Sequence, residues 1–210
     1  MDYVDRIIIN LSGIQKCVFE SLDNLNLYNS TIEKFVGNKD FHLQINYSND
    51  CASYVIGASG CTDTRYIDLG LIIINITDNW GDKLSLASTM LHEGIHATLF
   101  KYAHSRNPNI DPNIDPKVLM DLILQYKNVN LSEGSAQHEY MMSYYVIPIA
   151  QAIRNLDNNS YPIEYYYGFG WSGLGRYGRD QDVITQAELD NFENLKQIVN
   201  SNTSYGINCN

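Results

Sequence analysis

The chain has 210 residues, 44% of them hydrophobic and 18% charged, which suits one globular domain with a real core and excludes a disordered or low-complexity polypeptide. Its formal net charge of −10 leaves no basic stripe to neutralise phosphates, which argues against a nucleic-acid partner and against docking on an anionic membrane surface. No apolar run reaches the length of a bilayer span, and the opening MDYVDRIIINL lacks the basic n-region and long h-region of a signal peptide.

Residues 3–9 read as a short strand. From Ser12 to Val36, Ile14, Val18, Leu22, Leu25, Ile32 and Val36 recur at helical spacing, predicting one or two helices with Ser12 and Ser30 as N-caps and Gly37 as a stop. Phe41–Tyr47 alternates apolar and polar residues as a half-buried strand does, with His42 on its solvated side. Asn49–Arg65 is rich in Gly, Ser, Asn, Asp and Thr and reads as a loop or hairpin tip. Within it Cys51 and Cys61 flank a turn-rich stretch, so a staple and two separate thiols are both open. Neither these nor Cys17 and Cys209 show the CxxC spacing of a zinc ribbon or redox site. Leu69–Thr77 (LGLIIINIT), apolar and β-branched, predicts a strand, and Asn79–Asp82 a turn in which Asp82 caps the next helix.

That helix, Lys83–His104, is amphipathic, with Leu84, Ala87, Leu91, Ile95 and Leu99 on one side and Ser85, Thr89, His92 and His96 along an adjacent stripe. Gly94 in its interior costs about 1 kcal/mol relative to alanine, a cost that suits a position where another segment comes close. His104 reads as a helix-end residue. Ser105–Pro116, with three prolines, is an irregular surface loop, and Lys117–Tyr126 a short amphipathic helix. Leu131–Asp157 predicts a long helix capped by Ser132, with Glu133 in its first turn and a kink at Pro148. Tyr161–Asp180, loaded with glycine and aromatics, reads as a loop with Trp171 plugging the core. Thr185 caps a closing helix to Asn200. Nothing in the composition marks a linker, so residues 1–210 form one domain.

The chemistry concentrates in Met90–Tyr102, MLHEGIHATLFKY. His92 and His96, at i and i+4, face the same side of a helix and can reach one metal ion, while Glu93 lies about 100° round the helix, within reach of a water on that metal. Two imidazoles for Zn²⁺ and a carboxylate for the proton are what metal-assisted hydrolysis requires. A catalytic zinc takes three protein ligands, and the third falls in Glu133–Glu139. His138 ranks first, on a helix face shared with Met142 and Tyr145, and Glu133 and Glu139 are the alternatives. Tyr145 is the candidate donor to a developing oxyanion, and the Leu69–Thr77 strand a candidate edge for pairing with an extended substrate.

The stretch LHEGIHA resembles the active-site helix of zincin metallopeptidases, and the later QHEYM resembles the third-ligand segment of zincins with a histidine donor, the SprT-like group among them. The resemblance covers the motif helix, the strand before it and the 133–157 helix, less than half of the chain. It implies an α+β zincin-like fold, in which a small mixed sheet packs against the active-site helix and a second long helix carries the third ligand. It also implies an edge strand that binds extended peptide above the metal. By that resemblance His92, His96 and His138 match the ligands of one Zn²⁺ per chain and Glu93 the general base, and the substrate is a peptide or protein. The expected activity is therefore that of a zinc metalloendopeptidase. A non-catalytic binding or inhibitory protein on the same scaffold, or a hydrolase of non-peptide amides, are the competing readings, and intact Glu93 favours an enzyme. Few Lys and Arg, plentiful Asn and Tyr and a Cys51–Cys61 staple fit an exported or cell-envelope bacterial protein, with a cytoplasmic one the alternative.

Overall fold

The computed structural model describes residues 7–49, 51, 58–106, 142, 144–180, 182–201, 207 and 209. Four short strands form one mixed sheet: β1 (Ile7–Asn10), β2 (His42–Tyr47), β3 (Gly60–Asp63) and β4 (Leu71–Ile76), in the order β1-β2-β4-β3. β1, β2 and β4 run parallel, and β3 runs antiparallel to β4 along the outer edge. The alternation in β2 buries Leu43 and Ile45 while His42, Gln44 and Asn46 stay partly exposed on the other face. On β4, Ile72, Ile74 and Ile76 are buried in the core. β4 therefore reads apolar because it is central. That position overturns Leu69–Thr77 as a substrate edge, since both sides of β4 are occupied by strands. The edge strand on the side of β4 is β3, hidden in the turn-rich stretch that reads as a loop because GCTD is too short and too small to show alternation.

Helices α1 (Gly13–Glu20) and α2 (Asn26–Ser30) and a 3-10 turn at Ile32–Phe35 fill the segment between β1 and β2. Val18, Leu22, Leu25 and Ile32 are buried as their spacing demands. Ser30 does not start a helix; it ends α2 and donates its hydroxyl to the Leu27 carbonyl. Gly37, at φ +68°, follows the 3-10 turn as the predicted stop.

Helix α3 (Lys83–Arg106) carries the HEGIH motif. Asp82 caps it, accepting from the Ser85 amide (2.9 Å) and the Ser85 hydroxyl (2.7 Å). Leu84, Ala87, Leu91, Ile95 and Leu99 are buried, but so are Leu86, Ser88, Met90, Ala97 and Ala103 on other sides. α3 is thus a core helix enclosed by the sheet, α1 and the Ile32 turn rather than a one-sided amphipathic one. The cost of Gly94 has its reason here. A Cβ at that position would lie 2.5 Å from Ile32 Cγ1 and 2.8 Å from Cδ1, so only glycine lets the Ile32 turn approach this closely.

The expected loop at Ser105–Pro116, the short helix at Lys117–Tyr126 and the start of the long helix at 131–141 lie outside the described residues, apart from Ser105 and Arg106, which still belong to α3. The long second helix is described from α4 (Val146–Leu156), with Met142 and Tyr144 helical before it. The run is interrupted at Tyr145, which sits at the N-cap with ψ −21° and φ −124°. Pro148 explains the break: lacking an N–H, it cannot bond back to residue 144 and fits only in the first turn of a new helix. Tyr161–Asp180 is helical and not a loop. It contains a 3-10 turn at Ile163–Tyr166, α5 (Tyr167–Trp171) and α6 (Gly175–Asp180). Its glycines serve packing: a Cβ at Gly168 or Gly170 would strike the backbone carbonyl of Phe192 or Val146. Trp171 is partly buried against the core. α7 (Gln186–Asn200) starts with a full capping box between Thr185 and Glu188.

Beneath α4, Asp157 is almost fully buried and accepts from the Tyr166 hydroxyl at 2.5 Å. Burial pushes its carboxyl above the usual range, against the pull of hydrogen bonds from Tyr166 and Ser160. All four cysteines are paired: Cys17–Cys209, 192 residues apart, and Cys51–Cys61, 10 apart. The described architecture is mixed α+β, with a small sheet and helices packed on it.

Candidate metal centre

Because Leu91 and Ile95 anchor α3 in the core, the neighbouring stripe of Ser85, Thr89, His92 and His96 is held at the margin of the packed region, each residue partly exposed. One helical turn apart, the two imidazoles converge. Their Nε2 atoms lie 3.1 Å from each other and the ring planes meet at 64°. Two nitrogens bound to one tetrahedral zinc at ~2.0–2.1 Å stand about 3.3 Å apart, so the pair already has nearly the bite of a zinc site. The donor type and the spacing both fit Zn²⁺.

Glu93 points elsewhere. It is 7% exposed and packs under the edge strand, where its Oε2 accepts from the Thr62 hydroxyl at 2.8 Å. The same hydroxyl lies 3.1 Å from the Glu93 carbonyl, tying β3 to α3 at one residue. Gly60, also on β3, leaves the room this needs, since a Cβ there would come within 3.2 Å of Glu93 Cγ and 2.8 Å of Thr89 Cγ2. Burial pushes the Glu93 carboxyl up to about 7, against the opposing pull of the Thr62 hydroxyl. Among the described residues no three His, Cys, Asp or Glu side chains converge as a metal group, so Glu93 does not join His92 and His96 as a ligand.

The turn between α5 and α6 closes over His92. Gly173 sits there at φ +80°, and a Cβ on it would lie 3.3 Å from His92 Cε1 and 3.5 Å from Nε2. Ser88, one turn before His92, donates to the Phe169 carbonyl at 2.9 Å and fixes α5 against α3.

His138, Glu133 and Glu139, the three candidates for the third ligand, lie outside the described residues. Tyr145 is placed at the N-cap of α4, lining a cleft of about 370 Å³ with Leu25, Asn26, Pro148 and Gln151. No residue of α3 lines that cleft, and this placement does not support the oxyanion role. His104 pairs with Asp68 at 3.8 Å and meets the Phe41 ring edge-on, away from the motif. Thr62, Gly60 and Gly173 carry no sequence signal, because their roles come from what the fold places beside them. No family model, curated protein or solved structure matches the chain.

Proposed function

We propose that the chain is a zinc-dependent hydrolase, and specifically a metalloendopeptidase. The observation that carries this reading is the 3.1 Å convergence of the His92 and His96 Nε2 atoms beside a buried, separately held Glu93. His92 and His96 supply two ligands, and the third is assigned to His138, with Glu133 and Glu139 as the alternatives. Zinc held there would act as a Lewis acid toward a carbonyl oxygen and would lower the pKa of a coordinated water. Glu93, held under β3 by the Thr62 hydroxyl, would take the proton of the attacking water and later pass it to the leaving amine.

A peptide substrate is favoured by the position of β3. Among the described residues β3 pairs only with β4, and its Thr62 reaches Glu93, so a peptide added along the other side would run beside that carboxylate. An extended peptide can add there as a further strand. No described helix is long and apolar enough to cross a membrane.

Metal analysis of the purified chain is expected to give one zinc. Cleavage of an unfolded protein substrate should be abolished by a chelator and lowered about 10²–10⁴-fold in Glu93→Gln, which keeps its zinc. Zinc retained after His92→Ala and His96→Ala would remove the metal centre. Zinc bound without any loss of hydrolysis in Glu93→Gln would remove the peptidase and leave a binding protein on this scaffold.

A further inference from the structure

Gly173 faces His92, one of the two candidate metal ligands. The edge of His92 that it faces, Cε1–Nε2, carries the nitrogen that points at His96. The space between Gly173 and that edge is the width of one carbon: an ideal Cβ would sit 3.3 Å from Cε1, closer than carbon atoms pack at rest. The turn has no freedom to drift away. Leu174, buried, donates its amide to the Trp171 carbonyl at 2.9 Å, and the Gly178 amide of α6 donates to the Leu174 carbonyl at 3.0 Å. On the other flank Ser88 of α3 holds the Phe169 carbonyl. The same helix that presents His92 therefore anchors the turn that faces it.

We infer that Gly173 is a positioning residue of the metal centre: because it carries no side chain, the Cε1–Nε2 edge of His92 keeps its orientation beside His96. The inference rests on the zinc-hydrolase reading. A Cβ at this position would press on that edge and turn the ring, and disturbing the orientation of a ligand histidine typically costs about 10–100-fold in metal affinity. The positive φ selects glycine for a second reason, which a test must separate from the first.

Two variants and a matched control make that separation. Gly173→Ala adds only the Cβ. Gly173→Asn adds a bulkier side chain that tolerates the left-handed region. Gly81 has nearly the same backbone, φ +78°, with nothing within 4 Å of its Cβ position, so Gly81→Ala imposes the strain without the contact. Zinc affinity is read by competition with a chromophoric chelator, and ligand geometry by the visible absorption of the Co²⁺-substituted protein. Both Gly173 variants are expected to bind zinc at least 10-fold more weakly, Asn more so than Ala, with altered Co²⁺ spectra, while Gly81→Ala matches the parent. Unchanged affinity in the Gly173 variants, or an equal loss in Gly81→Ala, overturns the inference. In the unsubstituted chain the Gly173 amide resonance should move on addition of one equivalent of zinc, and an unmoved resonance counts against it whatever the variants' folding. A parent protein that takes up no zinc sinks the hydrolase reading itself, a different result from either.

Discussion

Adding one methyl group at Gly94 tests how tightly the motif helix is held. In an isolated helix Gly94→Ala is stabilising by about 0.8–1.0 kcal/mol. Here the new Cβ would stand 2.5 Å from Ile32 Cγ1 and 2.8 Å from Cδ1, whereas carbons rest about 3.5–4.0 Å apart, so the two segments must separate by about 1 Å. Ile32 cannot swing aside into solvent, because it is fully buried, and the turn carrying it is pinned by the Thr31 hydroxyl donating to the Leu27 carbonyl at 2.6 Å. Overpacking of this kind costs about 1–3 kcal/mol. With the turn pinned, the upper part of that range applies, and the net effect is a loss of about 1–2 kcal/mol. For a chain of this size that lowers Tm by about 2–8 °C. Urea and thermal unfolding with the disulfides intact measure it, and Ile32→Ala supplies the second axis of a double-mutant cycle. Once both offending atoms are gone, Gly94→Ala should become neutral or stabilising, giving a coupling of about 1–3 kcal/mol. A rise in Tm for Gly94→Ala in the parent, or the same change in both backgrounds, would refute the close approach.

Thr62→Val removes the hydroxyl that holds Glu93. A hydrogen bond to a charged group is worth about 1.5–3 kcal/mol, so kcat for peptide cleavage should fall about 10- to 100-fold with KM near the parent value; an unchanged kcat contradicts the placement. Asp157 gives a pH signature. Its pKa is raised by folding, so its contribution to stability is complete below the unfolded value of about 3.9 and is lost as pH rises through the folded value. Urea unfolding between acid and neutral pH should therefore show a decline in the parent that Asp157→Asn lacks, and equal slopes in the two proteins would count against it. Removing Cys51–Cys61 should cost about 2.7 kcal/mol from the entropy of a loop with 10-residue separation, and removing Cys17–Cys209 about 5 kcal/mol by the same relation. The reverse order of stabilities would mean that the bridges act through the native state instead.

The α3 helix, its Asp82 cap, the capping box at Thr185 and the strands β2 and β4 are legible in the sequence because each is specified locally, by periodicity or by a side chain bonding to a backbone a few residues away. So is the convergence of His92 and His96, which follows from helical spacing alone. What was illegible depends on partners distant in the chain. β3 is a strand because β4 offers it a ladder, and GCTD has too few side chains to announce it. The glycines of Tyr161–Asp180 read as breakers, whereas in the fold they let α5 approach the carbonyls of Val146 and Phe192. Thr62 and Gly173 meet the motif across 31 and 81 residues respectively, with nothing local to mark them.

The Cys17–Cys209 bridge turns almost the whole chain into a covalent ring. A single cut anywhere between those residues, by another protease or by a copy of the protein itself, leaves the two pieces bonded through sulfur. A nicked molecule would still migrate as one band without reductant and separate into fragments with it. Damage by proteolysis thus opens the ring without dispersing the fold, and His92, Glu93 and His96 stay on the helix that the rest of the ring encloses.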